Sequence, residues 1–321
     1  MDELVQAWGS DHSAHGTSLF YRSEQGYRVR VVGVGEFVLS QGGFLSNSVR
    51  ETNSDAIFRS VYERQIVPLL LSLRGHRVFH GGAVCIGDVA IALLGPSGAG
   101  KSTLTAALAR HGYPFLTDDC LLLSDEDSPQ VIPDAASIRV WPDSVAALAP
   151  DPSLVHETED KPRIFADADW LPHRSSPVPL VAGFLLSDSG DSLETSSFRL
   201  SPADTAMAWL SNMYSVDPRS AKIIRGNIGR AAKLAEIVPT FSLSYPREFS
   251  RLGDVVHHVL ARAAQLQSYG EPSSDPNTER LRRADMEPRP TSTHACASSS
   301  PPSLRTPICS CGSRPRRRSQ V

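Results

Sequence analysis

Apolar and polar residues alternate near the start of the chain. Tyr27-Arg28-Val29-Arg30-Val31 has period two, and Glu36-Phe37-Val38-Leu39 follows a Gly35 turn, so residues 1–50 read as β-rich. The period then lengthens. Ile57, Val61, Leu69, Leu70 and Leu73 roughly keep one helical face over residues 54–74, with Ser54 placed to cap and Gly75 to close. Pro68 lies inside that stretch; it offers no N–H and its ring collides with the preceding turn, so it should kink or split the helix. Two apolar strands, 83–86 and 89–94, flank the turn pair Gly87-Asp88. A Gly-rich loop leads into a helix over 102–111 that ends at Gly112. A short strand over 113–117 then runs into Asp118-Asp119, and another over 120–123 continues it. Strand, loop, helix, strand in that order predicts an α/β fold.

Residues 125–175 are rich in Asp, Pro and Ser and read mostly as loop. A buried type of strand follows at 178–187, and Ser201-Pro202 opens a helix with Ser as cap and Pro at its first position. Phe241, Leu243 and Tyr245 alternate as a strand. Leu252, Val255, Val256, Val259, Leu260 and Ala263 form an amphipathic helical stripe. The pattern stops at Gly270. Residues 271–321 contain eight Pro, ten Ser and no aromatic residue, too little apolar surface to offset the entropy of ordering, and are predicted to be a disordered tail. The chain divides into a β-rich region (1–50), an α/β body (51–270) and that tail (271–321).

Composition narrows the function classes. With 40% hydrophobic and 21% charged residues in 321, the chain has the balance of a globular protein. No apolar run approaches the roughly 18–20 residues of a membrane span, and the acidic start, Met1-Asp2-Glu3-Leu4, argues against a secretory signal. Five cysteines, three of them in the tail, with Cys85 and Cys120 single in apolar runs, suit a reducing cytoplasm. The net charge of −3 hides a split: nine Arg against five acids give the tail +4, leaving −7 for the rest. The body is no polycation, and the arginine run at 314–318 reads as a solvated tail, so neither nucleic acid nor membrane is an expected partner.

The chemistry is concentrated in Gly95-Pro96-Ser97-Gly98-Ala99-Gly100-Lys101-Ser102-Thr103. Glycines at these positions let consecutive backbone N–H groups converge on an anion, and the following helix adds its dipole. In such a loop Lys101 reaches the β- and γ-phosphates of a nucleotide and the Ser102 hydroxyl ligates Mg²⁺, so ATP and Mg²⁺ are the expected cofactors. Lys101 is one of only four lysines against 28 arginines, which makes its position informative. Asp118-Asp119 lies 17 residues beyond it. One helix and a returning strand would bring the pair to the loop's end of a sheet, one carboxylate for the metal and one for the attacking hydroxyl. Asp160-Lys161-Pro162-Arg163 is a further basic spot, able to fold over a nucleotide or to stand as a solvated loop. A transporter ATPase would carry Leu-Ser-Gly-Gly-Gln after the loop; the nearest echo, Leu39-Ser40-Gln41-Gly42-Gly43, precedes it. A small-molecule kinase and an inactive ATP-binding regulatory protein remain as alternatives.

His80-Gly81 at the hairpin start, the Gly-x-Ser-Gly-x-Gly-Lys-Ser loop, the helix and the strand ending in Asp118-Asp119 together resemble the C-terminal catalytic domain of the HPr kinase/phosphorylase family. The stretches 73–84 and Arg139-Val140-Trp141-Pro142-Asp143 look like its stand-alone relatives, some associated with peptide natural-product pathways. The match is convincing over 60–145 and looser to about 262. The resemblance implies a P-loop kinase-like core and transfer of the γ-phosphoryl group to a serine hydroxyl of a protein or peptide. It implies ATP–Mg²⁺ on Lys101 and Ser102, Asp119 as the Mg²⁺ carboxylate, Asp118 as the base, and His80 near the reacting phosphate. A homo-oligomer is compatible with it. The family's Gly-Ile-Gly-Ile-Ile-Asp-Val-like signature is not found after the acidic pair, so HPr as acceptor and the reverse reaction are not implied.

Overall fold

The computed structural model describes residues 2–9, 17–134, 136–148, 155–156, 162–187 and 192–269; the predicted tail and Lys161 lie outside the described residues. The alternation near the start produces a five-stranded antiparallel meander: β1 (Glu3–Trp8), β2 (Ser18–Ser23), β3 (Gly26–Val31), β4 (Gly35–Ser40) and β5 (Leu45–Arg50), paired in sequence order. Its inward residues Phe20, Val29, Val31, Phe37 and Leu39 are buried against the predicted helix.

That helix starts as expected, with Ser54 accepting the Ile57 N–H at 3.3 Å. It runs as α1 (Asp55–Val61), a single wide π-turn (Tyr62–Ile66) and α2 (Val67–Leu73). Pro68 does split it, by way of that turn. Pro68 offers no N–H to the carbonyls before it, and the Arg64 carbonyl instead lies 3.4 Å from the Tyr214 hydroxyl. The wide turn carries Arg64.

β6 (Arg77–Ile86) and β7 (Val89–Leu94) form the predicted hairpin, with Ile86 opposite Val89 across the two-residue turn. α3 (Lys101–Arg110), β8 (Phe115–Thr117) and β9 (Cys120–Leu123) follow. The region read as loop is more ordered than its composition suggested. It contains β10 (Gln130–Ile132), β11 (Ser137–Arg139), α4 (Pro142–Leu148), β12 (Val155–His156) and β13 (Arg163–Phe165), of which β11, β13 and β12 make a small antiparallel sheet. Strands of two or three residues are too short to show a period. Then come β14 (Val178–Leu186), β15 (Ser196–Arg199), α5 (Pro202–Ser211), α6 (Ala221–Ile237), β16 (Thr240–Ser244) and α7 (Leu252–Tyr269). α6 was not foreseen. Its buried set is narrow, with Asn227, Ala231 and Leu234 fully enclosed among otherwise polar or half-exposed residues.

The main sheet has the order β10-β9-β6-β7-β14-β16-β15, with β8 beside β6. β7 is buried on both faces. Ile91 and Leu93 pack with Leu104, Leu108, Val255 and Val259 of α3 and α7, whereas Ala90, Ala92 and Leu94 pack with Trp209, Ala231 and Leu234 of α5 and α6. Helices therefore cover both faces of a mixed sheet. β7, β14 and β16 are parallel, and β8, antiparallel to β6 as β7 is, runs the same way. The carboxyl ends of all four strands thus meet at one sheet edge, where α/β proteins place their sites. Among the described residues no helix is long and apolar enough to cross a membrane.

Candidate active site

The loop Gly95–Thr103 leaves the carboxyl end of β7 and enters α3. Gly98 and Gly100 have φ of 83° and 89°, a left-handed backbone open to glycine and strained for other residues. A Cβ on Gly100 would also come within 2.5 Å of the Tyr245 hydroxyl. Pro96 and Ala99 close the turn through the Ala99 N–H and Pro96 carbonyl (3.2 Å), and Ala99 anchors the loop in the core. Lys101 is 6% exposed, and its ammonium donates to the carbonyls of Gly95 (2.7 Å) and Pro96 (2.9 Å). Three distant residues brace the loop by its backbone. Asn212 Oδ1 accepts the Gly95 N–H (3.0 Å), the Tyr245 hydroxyl donates to Ala99 O (3.3 Å), and Arg247 donates to Gly98 O (3.0 Å) and Ser187 O (2.9 Å).

The acidic pair follows β8 at the same edge, as its spacing predicted. Asp118 is 7% exposed. One of its oxygens, Oδ2, accepts the Arg139 backbone N–H at 3.0 Å, so the end of β11 fixes it; the other, Oδ1, is buried with no hydrogen-bond partner. Burial, and then the adjacent Asp119 charge, pushes the Asp118 carboxyl up to about 7, against the opposing pull of the Arg139 N–H and the nearby Ser102 hydroxyl. Asp119 is the one non-glycine described residue with positive φ, 68°. The strain sits in a tight turn in which the Asp118 carbonyl accepts the Cys120 N–H at 2.9 Å. The Asp119 carboxylate forms an ion pair with Arg64 from the π-turn.

A cavity of about 380 Å³ brings much of this together. Ser97, Gly98, Gly100, Lys101, Ser102, Thr103, Asp119 and His80 line it, whereas Gly95, Pro96 and Ala99 shape the loop behind it. Thr103 shares a 3.0 Å hydrogen bond with Ser144 of α4. His80 stands on β6, its ring 6.3 Å from that of Tyr214 and its N–H donated to Asn212 O at 2.6 Å. Trp141 and Phe249, 39% and 40% exposed, supply apolar walls. Arg163 belongs to neither a nucleotide-covering nor a solvated loop: it lies on β13 directly opposite Arg139 and lines a second cavity.

Arg64, Asn212, Tyr214, Tyr245 and Arg139's backbone contact with Asp118 were not picked out from sequence as parts of the site. Pro68, marking an irregular turn near Arg64, and the resemblance over 139–143 carried the signals that could have found them. Among the described residues no group of three or more His, Cys, Asp or Glu could hold a metal by itself. A hard cation here would take the Ser102 hydroxyl and a carboxylate of the pair and share the oxygens of a phosphate ligand.

No family model and no curated protein matches the chain. Among solved structures it is similar to the Hpr(Ser) kinase/phosphatase from Coxiella burnetii, at 14% identity and a TM-score of 0.31, over 60% of this chain and 99% of that one. Similarity at that level is no evidence of activity, and the chemistry must come from the residues.

Proposed function

We propose that this chain is an ATP-dependent kinase that transfers the γ-phosphoryl group to a serine-type hydroxyl. The observation that carries the reading is one cavity lined by the buried Lys101 and Ser102 of a Gly-rich strand-to-helix loop and by Asp119 at the next same-direction strand end, with Asp118 buried in the chain beside Asp119. The residues fit the absent groups. The space beside Gly98 is open, as a phosphate cradle needs, and Ser102 with Asp119 offers the hard oxygens that suit Mg²⁺. Bound Mg²⁺ would neutralise charge on the transferred phosphoryl group.

The chain's own groups divide the remaining work. Lys101 meets the phosphates, and Trp141 and Phe249 give a nucleobase two apolar walls. Asp118 is the base. Its Oδ2 is held by Arg139, and its orphaned Oδ1 is an acceptor suited to an incoming hydroxyl. A carboxyl near 7 is well matched to taking a proton at neutral pH. Asp119 faces the cavity and serves the metal, and His80 stands at the wall beside the reacting phosphate. Calorimetry of ATP with and without Mg²⁺ tests the division. Asp119→Asn should lose the Mg²⁺-dependent part of ATP affinity, while Asp118→Asn should keep it. If wild-type protein binds ATP no better with Mg²⁺ than without, the reading fails.

A further inference from the structure

A second cavity, of about 330 Å³, shares Asp119 with the first and has Asp118 in its wall. Val67, Leu71, Leu122 and Ile132 make much of its lining apolar; Arg64, ion-paired with Asp119, and Arg163 bring two guanidinium groups, and Glu63 and Asp134 add carboxylates. The placement of these cations is unusual. β11 and β13 set Arg163 directly opposite Arg139, a like-charge pair that destabilises a sheet; Asp119 and Asp118 favour the Arg139 charge and Glu63 the Arg163 charge. The Nε atoms of Arg64 and Arg163 are buried without a hydrogen-bond partner. Arg163 titrates below the ordinary range, first through burial and then through the nearby Arg64 charge. Cys120, also in the lining, is neutral: burial pushes its thiol up to about 12.

We propose that this cavity is the acceptor site and takes a small hydroxyl compound bearing an oxyanion, a carboxylate or a phosphate, held by Arg163 beside the Arg64–Asp119 ion pair while its hydroxyl meets Asp118. The inference rests on the kinase reading and narrows its acceptor. The volume lies at the lower end of small-molecule sites, and the Arg163 guanidinium, whose Nε has no hydrogen-bond partner, favours an anion over a neutral alcohol. In the reaction the acceptor oxygen bonds to the γ-phosphorus, the bond from that phosphorus to the ADP oxygen breaks with its electron pair leaving on ADP, and Asp118 takes the hydroxyl proton.

The test presents the full chain, Mg²⁺ and γ-labelled ATP with L-serine, L-glycerate, glycerol 3-phosphate, glycerol, and a serine peptide blocked at both ends. Label should move to a carboxylate or phosphate compound and not to glycerol, the separate arms showing which oxyanion is used. Arg163→Gln should raise the KM for that acceptor by about ten- to a hundred-fold while the KM for Mg·ATP stays put. Arg163→Lys, a milder change that keeps the charge but loses the planar fork, should raise it less. Transfer to the blocked peptide alone, or an acceptor KM indifferent to both substitutions, overturns the acceptor inference and leaves the kinase reading standing. Failure of wild-type protein to bind Mg·ATP overturns the kinase reading, and the inference with it.

Discussion

The Gly95–Thr103 loop and the Asp118-Asp119 pair stand at the same sheet edge but are built in opposite ways. The loop, proposed as an anion cradle, would bind through backbone, and its braces from Asn212, Tyr245 and Arg247 all grip backbone atoms. The pair works through side chains, and its environment is assembled from afar: Arg64 from the π-turn, the Arg139 N–H from the small sheet, the Tyr214 hydroxyl 3.4 Å from the Asp119 carbonyl. A backbone site is robust to most side-chain changes and fixes only that a phosphate binds. A carboxylate site takes its proton affinity and its orientation from each neighbour, so in the proposed kinase that is where the reaction and its acceptor would be decided. Substitutions in the two regions should therefore fail differently, in binding for the loop and in turnover for the pair.

The largest effect belongs to the pair. Asp118→Asn keeps an oxygen for the Arg139 N–H but removes the base, and phosphoryl transfer should fall by about 10²–10⁴ with ATP affinity unchanged. A variant that turns over at the wild-type rate would give the base role to another group and erase the contrast with the loop. Single-turnover transfer from labelled ATP reads this directly.

The loop supplies the next. Lys101→Ala removes the buried cation and should weaken ATP binding about ten-fold or more, at least about 1.4 kcal/mol. Equal affinities for the two proteins by calorimetry would mean that the loop does not hold the phosphates.

The same contrast explains what could be read from the chain alone. The loop is encoded in nine consecutive residues whose glycines have one geometric use, and the strands and helix beside it follow a clean period; α3 starts and ends one residue earlier than expected. The position of the acidic pair also followed, because β8 returns in the direction of β7. Its surroundings did not. Arg64 and Tyr214 lie 55 and 95 residues from Asp119, and no local pattern joins them. The sheet that delivers Arg139 and Arg163 is made of strands too short to alternate, in a stretch whose Asp, Pro and Ser content suggests loop. The resemblance named roles for Asp118, Asp119 and His80, but not the neighbours that tune them.

The smallest effect, and the one that isolates the pair from any ligand, is on stability. The Asp118 carboxyl titrates near 7 in the fold against an ordinary value of 3.8, so between roughly pH 4 and 7 the folded chain holds a proton there that the unfolded chain has released. A raised carboxyl contributes stability that is complete below the ordinary value and is lost as pH rises through the folded one, where a buried charge must form. Wild-type protein should therefore lose melting temperature between pH 5 and pH 8 through this group, and Asp118→Asn should lose less. Asp217 does not confuse the comparison. Burial raises it, but Arg22 and the N–H groups of Arg219 and Ser220 outweigh that, so its carboxyl lies below the ordinary range and stays ionised throughout this window. At roughly 2–4 °C for each kcal/mol in a chain of this size, the difference between the two proteins is measurable by calorimetric melting without nucleotide. Parallel pH profiles would show that Asp118 ionises as freely as a surface carboxylate, and the contrast between a backbone site and a tuned side-chain site would then lose its basis.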